Sequence, residues 1–231
     1  MSSEEAAPGS EPQDPALAIG ERLAEHRNRR GVKVSALARQ IGVSPSLISQ
    51  IERGQSRPSV STLFALAEAL EVPVDAFFRN GEAAAPPVAP ATPARGPEPT
   101  RVARGQDRYL VRRADRAGID IQGGVRWERL TPTPLDDVEF MELIYAPGAE
   151  SNASLYRHPG FEMVLVLSGR LVIHAGFERY ELGPGDSMAF PSTLPHRYVN
   201  PGEETARAVT AILRDGLPEA EAGQEPGTQR A

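Results

Sequence analysis

The chain is expected to fold as two domains of different class, an all-α unit over residues 15–80 followed by an all-β unit over residues 107–214. Three observations carry that expectation. Apolar residues recur at helical spacing through the first segment, and residues 81–106 are dense in Pro and Ala with no apolar side chain larger than Val. Beyond them, short apolar runs alternate with Gly, Pro, Asn and Asp in the manner of a β sandwich or barrel. At 231 residues and 40% hydrophobic content, there is room for two packed cores. No apolar run approaches the roughly 20 residues of a membrane span. Cysteine is absent, which excludes a disulfide framework and thiolate metal sites. The acidic, Pro-containing start lacks the basic and apolar regions of a signal peptide, so a cytoplasmic location is expected.

The helical elements follow in order. Ile19, Leu23 and the amphiphile His26 define a first helix, with Arg22, Arg27, Arg29 and Arg30 assigned to its wet side. His26 reads as a half-buried packing residue rather than a ligand. Leu37, Ala38 and Ile41 form the buried face of a second helix, and Gly42 supplies the left-handed residue that ends it. Ser44 is an N-cap and Pro45 the first residue of a third helix, whose core side is Leu47 or Ile48 with Ile51. That leaves Ser46, Ser49, Gln50 and Arg53 facing outward. Ser59 caps a fourth helix with the stripe Leu63, Leu66, Ala67 and Leu70, and Val74, Phe77 and Phe78 close the core.

Short polar side chains on a helix that follows a tight turn suit a DNA major groove. Ser and Gln bond base edges, Gln especially adenine, while Arg53 and Arg57 reach phosphate or guanine. The bland alternative is a generic helical hairpin. Net charge is −6 for the whole chain, but residues 15–80 hold nine basic against six acidic side chains, with the acidic excess concentrated in residues 1–14 and 215–231. A basic head beside acidic tails suits salt-sensitive DNA binding. Residues 1–14 and 215–231 are expected to be disordered tails, and 81–106 a semi-extended linker.

From Ile19 to Phe78 the sequence resembles the five-helix DNA-binding domain of phage repressors and the xenobiotic response element (XRE) family, on the runs SPSLISQIERGQSRPS and LFALAEALEVPVDAFF. The resemblance implies a helix-turn-helix over about residues 34–53, with Val34 to Ile41 as positioning helix and Pro45 to Arg53 as recognition helix. Lys33, Ser44 and Arg57 match positions near the phosphate backbone. Pro45, Ser46, Ser49 and Gln50 match positions facing bases. Pro45 replaces a base-reading polar residue of some relatives, which shifts weight to Ser46 and Gln50.

In the second half, Val125 to Leu130, Phe140 to Tyr145, Met163 to Leu167, Leu171 to His174, Ser187 to Phe190 and Ala206 to Leu213 read as strands. The stretches YRHPGFEMVLVLSGRLVI and GPGDSMAFPSTLPHRYVNPG resemble the paired motifs of the cupin family, which implies a double-stranded β-helix, or jelly-roll, barrel. Tyr156, His158, Glu162 and Gly169 stand at the first motif's positions, and Gly185, Pro191, His196 and Asn200 at the second's. Thr193 replaces a motif Gly, and Tyr156 stands where the family has another His. The full family set offers three imidazoles and one carboxylate to a divalent metal. With one imidazole missing, two readings stay open: His158, Glu162 and His196 as a two-His, one-carboxylate metal face, or the same residues with Tyr156 lining a metal-free ligand pocket. The second is favoured here, and His174 reads as a surface residue.

The combination predicts a ligand-responsive DNA-binding regulator. Its expected partners are double-stranded DNA at the bacterial nucleoid, a small-molecule effector in the β domain and a second copy of the chain, since one helix-turn-helix contacts only a half-site. No catalytic residues are assigned, and no cofactor is expected beyond a divalent metal ion in the barrel. Two competitors remain: a metal-dependent cupin enzyme with an accessory DNA-binding head, and an antitoxin-like interaction protein.

Overall fold

The computed structural model describes residues 15–78 and 109–214. The expected tails and linker lie outside these described residues. Four α-helices build the first unit: α1 (Pro15–Arg29), α2 (Val34–Ile41), α3 (Pro45–Glu52) and α4 (Val60–Ala69). The fifth helix of the expectation is a single 3₁₀ turn, Val74–Phe77. Pro73 and the extended Phe78 bound it on either side, so only i→i+3 bonds form, from Ala76 N to the Pro73 carbonyl and from Phe78 N to the Asp75 carbonyl. Leu23, Leu37, Ile48, Ile51, Leu63, Leu66, Leu70, Val74 and Phe77 are buried, matching the sequence stripes. His26 is half-buried with its ring edge-on to Phe77 at 5.9 Å, a packing role.

Arg27 departs from its expected wet side. Its guanidinium forks onto the Glu52 carboxylate at 2.6 and 3.2 Å and bonds the Val32 carbonyl at 2.8 Å, so it ties the end of α3 back to α1. Bidentate, half-buried geometry of this kind is stronger than an ordinary surface pair.

Nine antiparallel strands follow: β1 (Gly118–Ile121), β2 (Val125–Arg129), β3 (Val138–Tyr145), β4 (Phe161–Ser168), β5 (Leu171–Ala175), β6 (Glu178–Leu182), β7 (Ser187–Pro191), β8 (His196–Val199) and β9 (Ala206–Leu213). One sheet runs β1-β2-β3-β9-β4-β7 and the other β6-β5-β8. Period-two burial aims Met141, Leu143, Tyr145, Val164, Val166 and Ile212 inward from the larger sheet, with Ile173 and Tyr198 buried from the smaller. Asn200 is fully buried and donates to the carbonyls of Tyr145, Ala146 and Glu204 while accepting from Gly202 N. It therefore pins the turn after β8. Among the described residues no helix is long and apolar enough to cross a membrane.

The two units are docked. Gln122 N donates to the Pro58 carbonyl at 3.0 Å, Ser61 Oγ to Asn152 Oδ1 at 3.2 Å, Val74 N to Glu139 Oε1 at 2.9 Å and Arg129 Nη1 to the Asp75 carbonyl at 3.3 Å. Buried apolar residues of both units join one continuous cluster.

Candidate functional site

Two groups of residues carry chemistry, one on α3 and one inside the β domain. α2 ends at Gly42 with φ of 74°, and Val43 N turns back onto the Ala38 carbonyl at 2.9 Å. This left-handed terminus sets the angle between α2 and α3. Ser44 Oγ then accepts from Leu47 N at 3.2 Å and Pro45 opens the helix. Ile48 and Ile51 are fully buried, and the Arg27 fork holds the last turn. With its back locked, α3 presents Ser44, Pro45, Ser46 and Gln50 to solvent, with Ser49 half-buried. Lys33, Arg53 and Arg57 are exposed as well, Arg53 bonding only its neighbour Gln55 at 3.1 Å in the hydrogen bonds seen.

In the β domain the three expected ligand residues converge. Glu162 sits on β4 and His196 opens β8, while His158 lies on the segment before β4. Paired bonds between the backbones of Tyr156 and His196, at 3.0 and 2.8 Å, and from His158 N to the Ser192 carbonyl at 3.1 Å, fix that segment. One ligand atom from each of His158, Glu162 and His196 lies within 4.8 Å of the others, all three residues buried. His158 Nε2 is 3.5 Å and His196 Nε2 3.6 Å from Glu162 Oε2.

The surrounding bonds decide what this cluster presents. His158 Nδ1 faces the Pro159 carbonyl at 3.1 Å and His196 Nδ1 the Leu194 carbonyl at 2.8 Å. A carbonyl only accepts, so each Nδ1 carries a proton, and in a neutral ring the Nε2 lone pair then turns inward. Neither Nε2 has a hydrogen-bond partner. Burial, first of all, pushes the His196 imidazole below its ordinary range, which keeps it neutral. Tyr198 Oη and Thr210 Oγ1 donate to Glu162 Oε1 at 2.7 and 3.2 Å, leaving Oε2 for the imidazoles. Two lone pairs and a carboxylate oxygen thus converge on one buried point without a donor between them. These donors suit a divalent cation, with the carbonyl-held imidazoles and Tyr198 as the outer partners of such a site. Tyr156 forms an aromatic wall 4.6 Å from the His196 ring.

Tyr198→Phe is accordingly expected to weaken divalent-metal affinity by about 10- to 100-fold. Calorimetric titration with Ni²⁺ checks it, and unchanged affinity would mean that Glu162 needs no hydroxyl to orient it.

Sequence reasoning missed the residues that face this cluster from the other domain. Phe64, on α4, stacks flat on His158 with centroids 3.8 Å apart and planes at 6°. It also lies 5.7 Å from Trp127 and 6.1 Å from Tyr156. Its position one residue off the Leu63, Leu66, Leu70 stripe is the signal that was available, since a large aromatic there has no place in the helical core. Asp75 and Glu139, two buried carboxylates at the junction, were equally unforeseen.

Comparison with known proteins agrees with both halves. Residues 23–77 match the helix-turn-helix family and residues 141–212 the cupin domain family. The HTH-type transcriptional regulator SutR of Escherichia coli is 28% identical over 183 residues, covering 79% of this chain and 87% of that one. The HTH-type transcriptional regulator PuuR of the same organism is 26% identical over 198 residues, covering 86% and 96%. A crystal structure of an HTH_3 family transcriptional regulator from Vibrio cholerae superposes with a TM-score of 0.57 at 22% identity, covering 86% of this chain and 96% of that one. That structural likeness speaks to the fold.

Proposed function

From a chain that joins an XRE-type helix-turn-helix domain to a C-terminal cupin domain, we propose a sequence-specific DNA-binding transcriptional regulator whose β domain senses a small molecule. The observation that carries the DNA reading is the polar outer face of α3: Ser44, Pro45, Ser46 and Gln50 exposed on a helix whose apolar back is immobilised. A rigid helix that presents short hydrogen-bonding side chains enters a major groove without first ordering itself. Ser46, Ser49 and Gln50 read bases, while Lys33, Ser44, Arg53 and Arg57 contact the backbone. The Ser44 oxygen is already occupied as acceptor, so it serves phosphate by donating its proton.

Two such helices spaced about 34 Å apart on one DNA face require a homodimer on an inverted repeat. Phe140, Met163, Leu165 and Leu167, exposed on the larger sheet, supply an apolar surface suited to pairing the β domains. We read the buried cluster of His158, Glu162, His196 and Tyr156 as the effector site, where the first three residues would hold a divalent metal able to supply Lewis-acid polarisation of a bound ligand. The protein acts in the cytoplasm, where its DNA partner lies. A role as regulator rather than enzyme is supported by the names of both relatives and by the seat that the DNA-binding domain takes against the cluster.

Genome-wide binding in cells tests the reading: an inverted repeat is expected, and enrichment without any shared sequence would overturn it. On that repeat Gln50→Ala is expected to cost about 1–3 kcal/mol with little change in nonspecific binding. An equal loss on all sequences in a gel-shift series would remove Gln50 from base reading.

A further inference from the structure

We infer that Phe64 on α4 is a lid on the buried His158, Glu162 and His196 cluster, so that a molecule reaching the cluster must unseat the DNA-binding domain from the β domain. The inference rests on the reading of the cluster as effector site, and it names how occupancy reaches the DNA-binding half. Three aromatic side chains of the β domain, Trp127, Tyr156 and His158, all take their neighbour from the other domain, and that neighbour is the same ring. The stack covers the face of His158, whose Nε2 has no hydrogen-bond partner. A cleft of about 200 Å³ leads up to it between α4 and the β domain, lined by Phe64, Glu68, Val72, His158, Pro159 and Arg214. The cleft therefore ends on the Phe64 and His158 rings.

Polar contacts on either side of Phe64 hold the lid, beside the apolar cluster that the two units share. Ser61 bonds Asn152 on the same helix as Phe64, Pro58 accepts from Gln122 just before it, and the Val74 and Asp75 contacts lie past its far end. The aromatic pairs at Phe64 are individually weak, so the ring itself yields to a bound effector more readily than the rest of the seam. Because α4 packs against α2 in the same small domain, its displacement moves the frame that carries α3. A ligand that binds only the undocked arrangement shifts the equilibrium by its own differential affinity, which is the requirement for coupling.

The chain has no Cys, so two introduced thiols are its only ones. Ser61→Cys with Asn152→Cys, oxidised, ties α4 to the β domain at a place where the native side chains already meet. The probe is diethylpyrocarbonate, which reaches neutral imidazoles, with each site followed by mass spectrometry in the full chain. His158 and His196 are expected to react at least tenfold more slowly in the oxidised than in the reduced double variant, with His174 unchanged as internal control. Adding Phe64→Ala to the oxidised chain is expected to restore the rate, and Phe64→Leu, which keeps the apolar volume, to restore it in part. Equal His158 rates in the oxidised and reduced chains would overturn the lid, and so would a reduced chain whose His158 never reacts, because α4 would then not leave its seat. The labelling uses neither DNA nor metal. Failure of operator binding and failure of the lid are thus separate results.

Discussion

Gly20→Ala is expected to destabilise the helical domain by about 3 kcal/mol and to abolish specific DNA binding at working concentrations. A Cβ at Gly20 would stand 2.3 Å from the Ile51 carbonyl oxygen and 2.4 Å from that of Glu52. Both are backbone atoms, so no rotamer change relieves the clash. α1 and α3 have to part, which opens the packing around Ile48 and Ile51 and stretches the Arg27 fork on Glu52. The roughly 1 kcal/mol that Ala gains over Gly in a helix offsets only a part of this. The damage falls on the helix that presents Ser46, Ser49 and Gln50, so stability and operator affinity drop together. Denaturant titration followed by helical circular dichroism, with a gel shift on the same preparation, checks both. A variant as stable as the parent would mean that α1 and α3 are not in backbone contact. Gly42→Ala is the informative contrast: its φ is 74° but open space surrounds it, so strain alone acts and a loss of about 1 kcal/mol is expected.

The contact at Gly20 also marks the limit of what the sequence made legible. Elements whose cause is local were readable from residues alone. Ser44 and Ser59 cap as expected because an N-cap answers to the amides two or three residues on, and Gly42 terminates α2 because a positive φ has few suppliers. The four helical stripes and the long strands were readable for the same reason of period. β6 was not, since Glu178–Leu182 exposes four of its five residues and shows no alternation. Arg27 was misplaced because a cation on a helix gives no sign of whether a carboxylate from another helix will meet it. The cluster residues were found through the motif resemblance, and the missing imidazole argued there for a metal-free pocket. The convergence of two inward lone pairs on Glu162 Oε2 strengthens the metal reading, and it depends on the Pro159 and Leu194 carbonyls, which no side-chain pattern reveals. Contacts between domains were the least visible. Phe64 and Asp75 each look like ordinary members of a helical domain until the β domain is placed against them.

Asp75 yields the second large effect. It is 1% exposed, neither carboxylate oxygen has a hydrogen-bond partner, and Glu139 stands close by on the β domain. Burial first, and the Glu139 charge second, push its pKa from 3.8 to about 7, against the pull of Arg129 and Arg214. The folded chain therefore keeps a proton that the unfolded chain releases near pH 4. Because the folded value is the higher one, Asp75's stabilising contribution is whole below about pH 4 and is lost as pH rises towards 7. At about 1.4 kcal/mol per unit, the ceiling of the effect is about 4 kcal/mol, and the two nearby guanidinium groups argue for a value below it. Asp75→Asn keeps the shape and removes the titration. The variant is expected to exceed the parent in stability by about 2–3 kcal/mol at pH 8 and by only about 1 kcal/mol at pH 4.5, where the titration has just begun. Parent and variant share Glu139, Arg129, Arg214 and the nearby His26, so the pH dependence of the difference isolates Asp75. Urea denaturation at the two pH values measures it, and a difference that is constant with pH would show that Asp75 is ionised throughout.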